Sequence, residues 1–239
     1  SYTLMIYMCG SDLESVRGYA SANIADILKA DIPDGADVII QTGGAKEWHD
    51  ERIPDAKSAR FSADNGNLTP AGGSFDADMG ESGTLADFIA FGKTHYPAEQ
   101  YGLILWDHGT GSNGGVCYDE LHDDNYLTLP EISDALSESG LHFGFIGFDA
   151  CLMATYDAVL ALDGYADRLI ASQELEPGSG WDYSALSALG REDFYSILPD
   201  KYAQKQAHTT YYTLSSIDLT QSERLSVLMD DICALIASM

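Results

Sequence analysis

Basic residues are scarce in this chain: 12 Lys and Arg stand against 38 Asp and Glu, a formal charge of −26. A field of that sign repels phosphate backbones and forfeits counterion release, so DNA and RNA are excluded as partners. A cationic substrate, by contrast, is drawn in at long range; the same acid excess also serves plain solubility in a salty or crowded setting. Long apolar runs are missing as well. No stretch approaches the roughly eighteen to twenty residues that cross a bilayer, and no basic-then-apolar leader opens the chain. It begins directly in a strand at Tyr2 and closes on an amphipathic helix ending at Met239, as expected of a mature or trimmed protein. Cysteine is sparse. Cys9, Cys117, Cys151 and Cys233 show no CxxC spacing, which argues against a zinc site and a dense disulfide framework and leaves room for one cysteine with its own chemistry. GxSxG and P-loop motifs are also lacking, which disfavours a serine hydrolase of that type and a nucleotide-binding domain.

What is present reads as one large α/β domain over residues 1–239, with 45% hydrophobic residues. Tyr2–Cys9, Ala36–Gln41, Tyr101–Trp106 and Phe143–Phe148 are apolar throughout, the pattern of strands buried on both faces. Arg168–Ser172 and Tyr211–Ile217 are expected to add two more. Helical spacing recurs in the segment to about Ala30, with Ser11 or Asp12 as its N-cap, over Ser82–Tyr96 before Pro97, over Leu129–Ser137 with Pro130 in its first turn, and from Leu152 to Leu162. Further helices are expected near Tyr183–Leu189, over Phe194–Gln206, and after Asp218 with Thr220 as a cap. Residues 48–76 read as short hairpins. Strands alternating with helices predict a mostly parallel sheet covered on both faces, a three-layer α/β/α sandwich.

In such a sheet, chemistry gathers beyond the carboxyl ends of the strands. Two consecutive strands end suggestively, in YGLILWDHG and FGFIGFDAC, and one crossover makes them parallel neighbours. His108 and Cys151 are then predicted to share one sheet edge. Nucleophilic cysteine needs a thiolate, favoured by an imidazolium or a helix N-terminus, and a helix from Leu152 would supply the second. Pattern alone leaves the competing reading open, because cysteine and histidine are often structural. Cys9, Cys117 and Cys233, and His49, His95, His122, His142 and His208, are read that way.

WDHGTG and GFDAC resemble the His-Gly and Asp-Ala-Cys signatures of the clostripain family of cysteine peptidases, which have a caspase-like fold. The opening strand with Gly10-Ser11-Asp12, QTGG at 41–44 and ELEPGSGWDY at 174–183 look similar too. The resemblance implies a cysteine endopeptidase with a dyad: Cys151 as nucleophile, His108 as base and acid, and the backbone N–H groups of Gly109 and Cys151 as oxyanion hole. It implies cleavage after Arg or Lys, with Asp149 at the floor of the S1 pocket and Asp182 as a second candidate. Helix N-cap is the competing role for Asp149. It also implies a monomer acting on peptides or proteins with a basic P1 residue, outside the cell or in the envelope of a bacterium, and requiring no cofactor. Some relatives depend on calcium. The acidic run Asp119, Glu120, Asp123 and Asp124 could hold such a cation, but lacks calcium-loop spacing and reads equally as a solvated turn. GTGSNGG at 109–115 is expected to be a mobile loop of the site rather than a phosphate cradle.

One departure from the family stands out. No Lys or Arg lies between Lys93 and Arg168, so an Arg- or Lys-specific enzyme could not cut itself between His108 and Cys151. Activity as a single chain is the expectation. The competing class is a catalytically silent caspase-like module of a larger bacterial surface or secreted protein, although a silent homologue has no chemical need to keep both residues.

Overall fold

Period-2 alternation in the first strand divides the interior into two cores. In the computed structural model, which describes residues 1–238, Leu4, Ile6 and Met8 join one buried cluster while Met5, Tyr7 and Cys9 join the other. A strand with both faces apolar has to be covered on both sides, and here helices do so.

In chain order the elements are β1 (Tyr2–Cys9), α1 (Ser11–Ser15), α2 (Tyr19–Lys29), β2 (Ala36–Gly43), β3 (Ala59–Asp64), β4 (Asn67–Pro70) and α3 (Ser82–His95). Then come β5 (Gln100–Trp106), β6 (Gly115–Asp119), β7 (Asn125–Thr128), α4 (Leu129–Ser139), β8 (Phe145–Asp149), α5 (Tyr156–Leu162) and β9 (Arg168–Ala171). Last are α6 (Phe194–Lys205), β10 (Ser215–Asp218) and α7 (Ser222–Ala237). Eight strands form one sheet in the order β10-β9-β8-β5-β1-β2-β3-β4. The five strands from β9 to β2 are parallel, and β3, β4 and β10 are added antiparallel at the edges. On one face, Ile24, Ile27 and Leu28 of α2 pack with Phe194, Leu198 and Tyr202 of α6. On the other lie Leu85, Phe88 and Ile89 of α3, Ile132 and Leu136 of α4, and Val159 and Leu162 of α5. The predicted three-layer α/β/α sandwich is what the chain forms, and the hairpin expected within residues 48–76 is β3–β4.

Four local expectations are corrected. The helix predicted from Ser11 to Ala30 is two helices, because Gly18 turns left-handed (φ 66) between them. The helix expected to start at Leu152 starts at Tyr156, capped by Thr155; before it, Leu152 has φ 64, and the chain is held by bonds from Leu152 N to the Glu174 carbonyl and from Ala154 N to that of Ser172. The segment after Asp218 first makes a short 3₁₀ turn whose cap is Asp218, not Thr220: the Thr220 amide and hydroxyl both donate to it. The residues 183–188 are 3₁₀ rather than α-helical. Met239, where the closing helix is expected to end, lies outside the described residues.

α4 carries a complete capping box. The Thr128 hydroxyl accepts from the Glu131 amide, and the Glu131 carboxylate accepts in return from the Thr128 amide. Thr128→Ala should therefore lower the unfolding free energy by about 1 kcal/mol in denaturant titration.

Candidate active site

β5 and β8 run parallel with Trp106 opposite Asp149, so the residues that follow leave the sheet together. The Asp107 amide donates to the Asp149 carbonyl (3.3 Å) one step beyond the last pair. His108 and Cys151 come out on the same side and border the same two cavities. One is a cleft of about 330 Å³ that reaches down to Asp149 and Glu176. The other is a wider groove of about 680 Å³ passing Asp12, Thr110, Tyr118 and Tyr126.

Gly109 cannot carry a side chain here. A Cβ would collide with the Cys151 carbonyl oxygen and crowd Met153 and Ala150. The close approach aligns the two loops. Gly109 pairs with Val116 in the non-hydrogen-bonded position, while the flanking Thr110 amide donates to the Gly115 carbonyl. The amides of Gly109 and Cys151 accordingly have no acceptor among the described residues. The glycine-rich stretch after Gly109 is a tight turn, closed by the Gly115 amide on the Thr110 hydroxyl (3.0 Å).

Each member of the pair has a partner that periodicity does not reveal. His108 Nε2 lies 2.7 Å from Asp12 Oδ1, brought in by α1. Cys151 Sγ accepts from the Glu176 amide at 3.2 Å. Asp107, pointing away from His108 as strand alternation requires, is buried and accepts from the Ser11 hydroxyl and the Tyr118 amide. Its pKa is pushed up to about 7 by burial, against the opposing pull of the neighbouring His108 charge and those two donors.

The electrostatics beneath the thiol are set by acids. Asp149 accepts from the Trp181 amide (3.1 Å) and the Tyr183 hydroxyl (2.9 Å); burial nevertheless pushes its pKa up to about 6, with the Trp181 and Tyr183 donors and the Lys205 charge pulling down. Burial raises Glu176 well above the usual carboxylate range, and the charge of Asp149 adds to that. Cys151 is raised by burial first; the Glu176 amide pulls it down and the Asp149 charge pushes it up again. With α5 starting five residues further on, the helix N-terminus expected to stabilise the thiolate is not at Cys151.

Of the two predicted pocket acids, Asp149 lines the cleft and caps no helix, since no helix starts there. Asp182 does not reach it: its carboxylate caps the 3₁₀ turn by accepting from the Ser184 amide (3.0 Å). Glu176 occupies the cleft instead. The four acids offered as a cation site do not converge. Glu120 accepts from the Lys46 amide and pairs with its ammonium, while Asp123 and Asp124 sit in a left-handed turn. Asp119 is buried and comes together with Asp78 and His122, but amides of Met79 and Leu121 occupy its oxygens, and the Gly80 amide and Asn125 side chain those of Asp78.

Gly109→Ala should destabilise the protein by about 1–3 kcal/mol in denaturant titration, because the new methyl has to push the Cys151 carbonyl away.

Comparison with known proteins bears on this geometry. A sequence model of the Clostripain family matches residues 6–239. Clostripain from Hathewaya histolytica is 32% identical over 130 residues, which cover 47% of this chain and only 24% of that protein. A secreted C11 cysteine protease from Bacteroides thetaiotaomicron, solved with an irreversible peptide inhibitor, superposes with a TM-score of 0.79 at 20% identity, over 95% of this chain and 68% of that one. An inactive zymogen C11 protease from Parabacteroides distasonis gives 0.74 at 22%, over 95% and 64%. At these identities the two solved structures establish a shared fold.

Proposed function

The chain belongs to the clostripain family of cysteine peptidases, and we propose that it is an endopeptidase in which Cys151 attacks, His108 moves the proton, and the acidic cleft below them takes an Arg or Lys side chain at P1. The observation that carries this reading is the meeting of His108 and Cys151 at the mouth of a cleft walled by Asp149 and Glu176. The nearby cation, Lys205, is engaged elsewhere, on the carbonyls of Ser179 (2.7 Å) and Trp181 (2.8 Å).

The chemistry follows from these positions. A peptide laid across the mouth drops its P1 side chain into the 330 Å³ cleft and presents its carbonyl to Cys151 Sγ. His108 takes the thiol proton, the thiolate attacks, and the imidazolium returns the proton to the leaving amine. Water then hydrolyses the thioester, with His108 again as base. The oxyanion formed in both steps is held by the amides of Gly109 and Cys151, which have no other acceptor among the described residues. The buried acids work against a thiolate, so two cations matter: the imidazolium and the basic P1 group that neutralises the cleft. These groups suffice for acyl transfer, and the reaction as proposed needs no cofactor.

A peptide is the substrate class this cleft favours, and the secreted relatives from Bacteroides thetaiotaomicron support an extracellular setting and a bacterial source. The segment joining His108 to Cys151 folds as β6, β7, α4 and β8 and contains no Lys or Arg, which supports activity as a single uncleaved chain.

Fluorogenic peptides differing only at P1 test the assignment. Wild type should turn over Arg and Lys substrates, and Cys151→Ala or His108→Ala should lower kcat/KM on the order of 10³-fold or more. No Cys151-dependent turnover on any member of the panel would mean a silent module; turnover confined to neutral P1 residues would remove the pocket role of Asp149. The active protein should also run as one band on a denaturing gel, and a split inside residues 109–150 would refute single-chain activity.

A further inference from the structure

Glu176 lies at a junction. Its backbone amide holds Cys151 Sγ, and its side chain lines the cleft beside Asp149. Both of its carboxyl oxygens are buried with no hydrogen-bond donor among the described residues. Buried carboxyl oxygens without donors are costly, and two carboxylates side by side cannot both ionise cheaply. The groups around them do little to settle the pair. Asp149 faces the Trp181 amide, the Tyr183 hydroxyl and the Lys205 ammonium, while Glu176 faces Asp149, the Cys151 thiol, the Trp181 indole, Tyr183 and Tyr202. Lys205 is already held by two carbonyls of the 174–182 loop, and Gln206 ties the same loop down through Ser179 and Gly180. The pair is therefore short of two things, donors for the Glu176 carboxyl oxygens and positive charge. A guanidinium brings both, with planar N–H groups that can face two carboxylates at once; an ammonium brings the charge with a less matched geometry.

We propose that Glu176 is a second P1-recognising carboxylate, that it shares one proton with Asp149 while the cleft is empty, and that an entering P1 cation displaces this proton. The inference rests on the P1 reading above and extends it to Glu176 and to a proton. The step is balanced: the carboxyl O–H between the two acids breaks, its proton leaves to solvent, and N–H···O bonds from the cation replace it. No bond of the peptide changes. Folding raises both carboxyls by burying them, Asp149 to about 6. A raised carboxyl contributes stability that is present below its unfolded range and lost as pH rises through its folded value. The empty cleft is thus a burden that grows as pH rises from the ordinary carboxylate range, about 4, through the raised folded values, and a bound cation relieves it above them.

Benzamidine, which carries a P1-like amidinium and does not react with thiols, tests this on the intact chain. Calorimetry in buffers of different ionisation heat should show release of about one proton per benzamidine near pH 6–7. Affinity should climb by up to about tenfold per pH unit below the titration of the pair, and the thermal midpoint should rise more with benzamidine at pH 8 than at pH 5. Glu176→Gln keeps the amide on Cys151 and leaves only Asp149 to titrate near 6, so release should vanish above about pH 7, where Asp149 is already ionised, and affinity at pH 8 should fall roughly tenfold. In turnover, the ratio of kcat/KM for P1 arginine over P1 citrulline cancels the titration of the dyad. That ratio should keep rising above about pH 7 in wild type and be flat there in Glu176→Gln, where only Asp149, already ionised, remains.

Benzamidine binding without proton release, in wild type and with no variant needed, overturns the proposal; so does a Glu176→Gln protein indistinguishable from wild type. If Arg substrates are cleaved but no proton leaves, the peptidase reading stands and this inference falls. If protons leave on binding but no peptide is cleaved, the proton-sharing pocket stands and the proposed activity falls. No binding of benzamidine at all overturns both the P1 pocket and the shared proton.

Discussion

Trp106 sits opposite Asp149 across the parallel pair β5–β8, and the Asp107 amide reaches the Asp149 carbonyl one step beyond. Past that point two loops leave the sheet in contact, with Gly109 against the Cys151 carbonyl. Every other feature of the site depends on this register. A slip of one residue would turn His108 and Cys151 toward opposite faces, since strand side chains alternate. The strands can hold that register because both their faces are buried: Ile104 and Phe145 belong to one core, Leu103, Leu105, Ile146 and Phe148 to the other. The core thus serves the site by refusing alternatives to it.

A second constraint is electrostatic. The chain is acidic overall, and three of its acids, Asp107, Asp149 and Glu176, lie at the cleft of the proposed dyad, where burial makes ionisation costly. Each is raised by burial, and the field of Asp149 raises the thiol as well. Such a site is poor at ionising its own nucleophile and well suited to a visiting cation. Substrate charge and nucleophile activation are linked by that field, since neutralising the cleft removes part of what opposes the thiolate. A stability cost concentrated at the site rather than in the core fits a functional origin.

Much of this was legible because strands buried on both faces write continuous apolar runs. YGLILW and FGFIGF announced themselves, and the residues directly after them could be placed at one sheet edge by topology. What failed did so for local reasons. The segment after Cys151 has helical spacing, yet backbone bonds to Glu174 and Ser172 hold Leu152–Ala154 in a turn until Thr155 caps α5. Asp182 and Glu176 are both acids in one polar loop, and nothing in their spacing says which turns inward. The turn at Ser184 claims Asp182, which leaves the cleft to Glu176. Asp12 reads as a cap, yet it lies inside the short α1, which ends before Gly18, and its carboxylate meets His108.

By itself the sequence determined the layered α/β sandwich, the strand ends that carry His108 and Cys151, and the acid excess, because periodicity and charge are properties of short segments and sums. The tertiary structure decided which acid lines the cleft, which groups touch the thiol and the imidazole, and how far each carboxyl is raised. Those depend on burial and on contacts between residues far apart in the chain, such as Glu176 with Cys151 and Asp12 with His108. No local pattern encodes a desolvation energy; it exists only once the 174–182 loop has closed over Asp149.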